Sequence, residues 1–547
     1  MRSRARCVSA AALAVTLCAG VTVAVAQPGR THAGPPRAGT RDAVGSPLRA
    51  ANVTRLAVRW RFRLTERPGF SGVLSSTPVV RGATVYVQDL RSSVFALDRG
   101  TGALRWVHRF AAPNAGPNGL AVAGGRVYGA TDADAFALSA ATGRVLWRRH
   151  LSTETEPFID IAPVSWHGLV FLSTIGYAPF SRGALYALDA RTGAVRWRFV
   201  TVEHPWAHPL HAGGGGAWYP MSIDAQGRLY AGIANPTPWG GTRRFPNGAA
   251  FPGPVPYTDS LVVLDASSGR LLWHDQVTPH DVRDYDFEAT PMLVSPGGTP
   301  LVIGAGKEGR VIAWNRRTRR RVWSTVVGRH RNDHGPLPRR RVTVCPGLLG
   351  GVETPMAYAA GRVFVPVVDL CAWGSAIGHE NVTALRLASG RGRLVALRAG
   401  SGRLLWQRRL PAPDFGCATA ANDVVFTSDY TGTVYALAAR DGRTLWSTRM
   451  SADINSCPAV AGDELIVGAG VPRGRGAGGT ELVAFAPLAQ SSMPAASSST
   501  LVSADSGTPI DPGANQPTSS TSSGRGRPET TWASKTTATK LARSPFE

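Results

Sequence analysis

Residues 278–291, TPHDVRDYDFEATP, gather His280, Asp281, Asp284 and Asp286 within seven positions, directly after a strand-like run that ends in Trp273. Residues two apart on an extended segment point the same way, so Asp284 and Asp286 can present both carboxylates to one cation. Acids held together without a cation raise one another's pKa, which makes such a pair a natural seat for a metal ion. Hard oxygen donors suit Ca²⁺, and a trivalent ion would neutralise more of the charge. The bland alternative is a solvated surface loop. The elements around the loop decide between the two.

Those elements are repeats. The chain reads VFALDRGTGALRW to Trp106, AFALSAATGRVLW to Trp147, LYALDARTGAVRW to Trp197 and LVVLDASSGRLLW to Trp273. It continues with VIAWNRRTRRRVW to Trp323, LVALRAGSGRLLW to Trp406 and VYALAARDGRTLW to Trp446. Each unit predicts an alternating strand, a two-residue turn usually closed by Gly, and a second strand that ends in Trp. Gly supplies the positive φ of a tight turn, and the Trp can pack on the neighbouring unit. LAVRW near the start gives Trp60 without a preceding strand, and ELVAFAP near the end gives a strand without a Trp. Joined, the two halves complete an eighth unit and remove the open sheet edges. The expected fold is all-β, an eight-bladed β-propeller with docking tryptophans over 50–487, closed by pairing of its N- and C-terminal strands. The gaps Trp197 to Trp273 and Trp323 to Trp406 are long, and extra length in such a fold goes into functional loops.

Residues 1–26 read as a cleaved secretory signal, basic at first, then apolar, then Ala-Val-Ala before Gln27. A flexible leader is expected over 27–49 and a disordered Ser/Thr/Pro-rich tail over 488–547. No later run approaches the roughly 18 apolar residues of a membrane span. The expected location is therefore secreted or extracytoplasmic. Loss of the signal leaves Cys345, Cys371, Cys417 and Cys457, an even number that favours disulfides outside the cell. There is no C-x-x-C-H, hence no attached c-type haem. The formal charge of +24 is almost entirely Arg, with Lys only at 307, 535 and 540. Its densest runs, from Arg316 and from Arg339, carry no interleaved aromatics, which argues against nucleic acid and leaves contact with an anionic cell envelope.

The repeat YALDA-x-TG-x-x-x-W resembles that of the quinoprotein alcohol dehydrogenases, eight-bladed enzymes that use pyrroloquinoline quinone (PQQ). The segment GGGGAWYPMSIDAQGRLYAGIANPTPWGG is similar to the one in which a Trp stacks on the quinone and an Asn binds the metal. The resemblance implies those roles for Trp218 and Asn235. A flat aromatic face suits a planar cofactor, and an amide oxygen suits a hard cation. By the same resemblance Asp284 is the catalytic base and a metal ligand, and Asp286 is the additional acid of the lanthanide-using branch. His280 and Asp281 read as structural. Lys307, the only Lys in the folded region of an Arg-dominated chain, matches the basic residue that contacts the quinone oxygens. Cys345–Cys371 brackets a long insertion and resembles a family bridge. Cys417 and Cys457 occupy equivalent places in successive repeats and are expected to pair.

The sequence also departs from the family. It has no adjacent cysteine pair. Asn118 stands where a carboxylate-binding Arg is expected, Asp160 replaces a Thr that donates to the cofactor, and Ala178 falls where a metal-binding Glu belongs. Asp160 could join Asn235, Asp284 and Asp286 as a rebuilt oxygen shell. The resemblance implies a secreted oxidoreductase acting on an alcohol or sugar-like hydroxyl with PQQ and Ca²⁺ or a lanthanide, and passing electrons to a separate acceptor. The alternatives are a non-catalytic propeller that binds protein or envelope polymer after losing the cofactor, and a hydrolase or lyase that reuses the acidic pocket.

Overall fold

The computed structural model describes residues 38–65, 72–114, 116–151, 158–176, 181–202, 213–249, 254–471 and 479–488. The signal segment, leader residues 27–37, Ala178 and residues 489–547 lie outside the described residues. Among the described residues there are eight four-stranded antiparallel sheets, and the chain meanders through them in order. The fold is an all-β, propeller-like array. No helix among the described residues is long and apolar enough to cross a membrane.

The alternating strands explain the layering. The second and third strands of each sheet are buried along nearly their whole length, as in Thr84–Gln88 and Val94–Asp98. The outer strands, such as Leu104–His108, are largely exposed. Buried faces of consecutive sheets share hydrophobic clusters, so each sheet completes its neighbour's core. The final sheet is the composite one: Leu56–Arg63 pairs with Glu481–Pro487, followed inward by Glu464–Ala469 and Ala459–Ala461.

Tryptophans tie sheet to sheet. The Trp60 indole donates to the Arg99 carbonyl at 2.7 Å, Trp106 to Ala140 at 3.1 Å and Trp197 to Ala266 at 2.9 Å. Trp446 closes the series by donating to Leu56 at 3.0 Å. The Gly of each turn is needed twice over: Gly102 has φ 73°, and a Cβ there would sit 2.6 Å from Trp60. The turn itself is longer than the two residues expected. Four residues, Arg99–Gly102, separate Asp98 from Ala103, because the Asp98 carboxylate captures the N–H groups of Gly100 and Thr101 and the Gly102 N–H returns to the Asp98 carbonyl. The unit that lacks Gly behaves differently. Arg319 takes the positive-φ position at 61° and donates to the Leu272 carbonyl, beside Trp273.

Residues 38–49 correct the expected flexible leader. Ala38 accepts from Leu293, Thr40 from Tyr358 and Arg41 from Ala420, while Ala43 donates to the Ala420 carbonyl. Ser46 then bonds the Gly462 carbonyl at 2.7 Å. The segment thus crosses the inner strands Met292–Val294, Ala357–Ala359 and Thr419–Ala421 before reaching the composite sheet. Free inner-strand N–H groups supply the physical reason: a chain laid across them satisfies donors that would otherwise be buried and unpaired.

Both expected disulfides are present, Cys345–Cys371 and Cys417–Cys457.

Candidate functional site

In an antiparallel meander, the connection entering each inner strand and the turn between the second and third strands lie at the same end. That end collects the candidate residues. Asp284 and Asp286 lie on the connection entering Met292–Val294, and Lys307 on the turn between Leu301–Ala305 and Arg310–Asn315. Asn235 follows Arg228–Ile233 in the preceding sheet. The four residues meet. Lys307 Nζ is 3.0 Å from Asp284 Oδ2 and 2.7 Å from Asp286 Oδ2. Asn235 donates its backbone N–H to Asp286 Oδ1 at 2.8 Å and its side-chain Nδ2 to Asp284 Oδ1 at 2.9 Å. All four carboxylate oxygens are engaged.

The acids do not converge by extended geometry, as the spacing suggested. Asp284 has φ 67°, in the left-handed region that non-glycine residues rarely occupy. The Asp281 carboxylate bends the loop by accepting the N–H groups of Arg283 and Tyr285, each at 2.8 Å. The Arg283 side chain anchors the bend on the carbonyls of Asn332, His334 and Gly335. His280 bonds the Asn247 carbonyl at 2.9 Å, a neighbouring loop. The two acids differ in access: the Asp284 side chain is 18% exposed and that of Asp286 only 2%. Asp284 is the more accessible of the pair.

Two further acids escaped the sequence reading. Glu288 and Glu353 are buried beside Lys307, their carboxyls hydrogen-bonded to each other, with one oxygen of each lacking any partner. Burial pushes both upward, Glu353 to about 8, against the attraction of Lys307. Burial likewise raises Asp286. Burial alone would lower Lys307, but Asp284, Asp286 and the two glutamates hold it well above its usual value. The signal for the missed pair was FEATP and VETP, an acid shortly before Thr-Pro in successive sheets.

Beside this cluster opens a cavity whose wall includes Trp218, Tyr219, Asn118, Arg41 and Cys457. Tyr219 links the two regions electrostatically: burial raises its pKa first, then Glu288 and Glu353, while Arg41 and Lys307 oppose them. Asn118 donates to the Asp89 carbonyl at 2.9 Å and brings no charge to the wall. Asp160 is fully buried, two residues before the cavity-lining Ala162.

Among the described residues no three His, Cys, Asp or Glu side chains form a metal-ligand group, so the rebuilt shell with Asp160 is not assembled. Lys307 already bridges the pair where a cation would be expected. The donor chemistry nonetheless suits a hard cation. Four buried or nearly buried carboxyls face one ammonium, and the free oxygens of Glu288 and Glu353 mark unspent acceptor capacity. The flat face of Trp218 on the cavity wall suits a planar ligand.

Two family models match the chain. One, described as glucose/ethanol/alcohol dehydrogenase, beta-propeller domain, covers residues 163–330 and so includes Trp218, Asn235, Asp284, Asp286 and Lys307. The other, described as outer membrane protein assembly factor BamB, covers residues 47–211 and 390–488. The quinohemoprotein alcohol dehydrogenase ADH IIB of Pseudomonas putida is 32% identical over 282 residues, which is 45% of this chain and 39% of that protein. The chain spans about two fifths of the length of such quinohemoprotein relatives. Among solved structures, the quinohemoprotein alcohol dehydrogenase from Comamonas testosteroni has a TM-score of 0.72 at 23% identity, covering 85% of this chain and 82% of that one. A europium-containing methanol dehydrogenase has a TM-score of 0.69 at 20% identity, covering 82% and 96%. At these identities the structural likeness speaks for the fold, and the sequence matches speak for the lineage. Both matching models describe PQQ-type β-propeller proteins, and the relatives named here are quinohemoprotein alcohol dehydrogenases, so it is to PQQ-type propeller proteins that this chain is similar.

Proposed function

We propose that this chain is an extracytoplasmic quinoprotein-type oxidoreductase, an eight-bladed propeller that oxidises an alcohol or sugar-like hydroxyl. The observation that carries this reading is the convergence of Asp284, Asp286, Asn235 and Lys307 beside a cavity walled by Trp218. Asp284, Asp286 and Asn235 would hold Ca²⁺ or a lanthanide ion, and Trp218 and Lys307 would hold PQQ. Bound PQQ would supply the hydride acceptor. Asp284, the accessible acid, would accept the proton of the substrate hydroxyl on its carboxylate. Lys307 and the Asn235 amide steady that carboxylate, so the base is oriented before substrate arrives. Asp286, buried behind it, supplies fixed negative charge. Electrons would leave through a separate acceptor. Two disulfides support an oxidising compartment and, with it, secretion.

One observation favours a second reading. Lys307 satisfies the acid pair without any metal, as a propeller scaffold binding protein or envelope polymer would require. Absorption titration decides. Wild-type protein should take up PQQ in the presence of Ca²⁺ or La³⁺ and then reduce an artificial electron acceptor when given a primary alcohol. Absence of quinone uptake under both ions would leave the scaffold reading.

A further inference from the structure

We propose that Arg41 forms an anion subsite in the cavity wall, which receives a carboxylate of a planar aromatic ligand lying on Trp218. Arg41 belongs to the segment that crosses the inner strands, and its backbone takes φ 46° there. Its guanidinium is held by neutral acceptors only: Nε donates to the Ala418 carbonyl, and Nη2 to Thr419 Oγ1 and the Pro458 carbonyl, each at 2.8 Å. Among the described residues no carboxylate pairs with it, and Nη1 makes no hydrogen bond. The residue is 9% exposed. Among the described residues it is also the only charged side chain lining the cavity.

A buried charge without a counter-ion is costly, and three carbonyl or hydroxyl contacts offset only part of that cost. Burial draws the guanidinium down to about 10, which leaves it charged at neutral pH. The missing partner is therefore an anion from outside the chain, and the guanidinium edge is shaped for a carboxylate. Charge on the cavity wall narrows the ligand further. Tyr219 on the same wall interacts electrostatically with Arg41 as well as with Glu288, Glu353 and Lys307, so among the described lining residues the positive charge open to the acidic edge of a ligand is that of Arg41. The neutral Asn118 on the same wall leaves this duty to Arg41. An aromatic polycarboxylate, ring on Trp218 and acid on Arg41, satisfies both constraints. The inference rests on the proposed cofactor reading for the identity of that ligand, and on the cavity alone for its charge.

The test is calorimetric titration of the full-length disulfide-bonded protein with PQQ and with its uncharged trimethyl ester. Wild type should bind PQQ about tenfold or more tighter than the ester, the worth of one charge-assisted hydrogen bond. Arg41→Gln should erase that preference while leaving ester binding unchanged, and Arg41→Lys should retain part of it. Equal binding of PQQ by wild type and Arg41→Gln would overturn the subsite and leave the proposed function standing. If Arg41→Gln does not fold, the wild-type preference decides: no preference for the acid overturns the proposal. If wild type takes neither quinone, the cofactor reading fails, and 1,2,4-benzenetricarboxylate reads the subsite by itself. Its binding by wild type and loss in the Arg41 variants supports the subsite; no binding to wild type sinks it.

Discussion

Lys307 and Asp286 are joined twice, ammonium to carboxylate at 2.7 Å and the Lys307 N–H to the Asp286 carbonyl at 3.0 Å. The backbone bond fixes the turn against the loop, and the ion pair then has no freedom to drift. Removal of one partner from a buried pair leaves an uncompensated charge, which costs about 3–5 kcal/mol. Lys307→Met should therefore lower stability by roughly that amount in denaturant titration, and Lys307→Arg by clearly less. A Lys307→Met protein as stable as wild type would show that the acids need no ammonium.

The two acids should separate activity from stability. Asp284→Asn keeps the shape of the more exposed side chain and removes a proton acceptor. It should abolish alcohol-dependent dye reduction while shifting the melting temperature little. Asp286→Ala removes the acceptor of the Asn235 N–H and the closest partner of Lys307, so it should cost about 2–4 kcal/mol. Full turnover in Asp284→Asn would remove Asp284 as the base.

Metal should stabilise the fold, because a bound ion adds its binding free energy to that of the native state. Wild-type melting temperature should rise with Ca²⁺ and rise further with La³⁺, and chelation should reverse both shifts. In Asp286→Ala the advantage of La³⁺ over Ca²⁺ should shrink. No shift with either ion would mean that Lys307 is the only cation this loop holds.

Glu308 gives a pH signature outside the proposed ligands. Both of its oxygens are buried without a side-chain partner among the described residues, and burial raises its pKa from 4.5 to about 8, with its own backbone N–H opposing the shift. The unfolded chain gives up this proton first, so folding stability falls as pH rises from 4.5 to about 8. Glu308→Gln keeps the shape and cannot ionise. Its melting temperature should exceed that of wild type by about 2 °C or more at pH 8 and converge with it near pH 4.5. Parallel melting curves across that range would contradict the assignment.

Much of this was legible in the residues. The Trp-terminated repeat foretold the sheets and their composite closure, because a period-two strand and a fixed Gly leave little choice of partner. Asn235, Asp284, Asp286 and Lys307 were singled out and do meet. Glu288 and Glu353 went unread, since nothing local says that two acids 65 positions apart (353 − 288) will share one pocket. Arg41 was hidden more deeply. Its stretch is poor in apolar residues and reads as a linker, and only the unpaired inner strands give it a place. The bend at Asp284 was invisible for another reason: the capture of two N–H groups by Asp281 overrides the extended geometry that the spacing suggests.

The composite sheet sets a rule about the order of synthesis. Leu56–Arg63 is made first, yet it pairs with Glu481–Pro487, and the joint is pinned by Thr480 bonding Leu64 across 416 positions. Such distant partners cost loop entropy before they repay it, so closure is the slow, late event of folding. Until then one strand waits without a neighbour. A nonsense change anywhere before Glu481 would leave an open array, with unpaired strand edges for other chains to find.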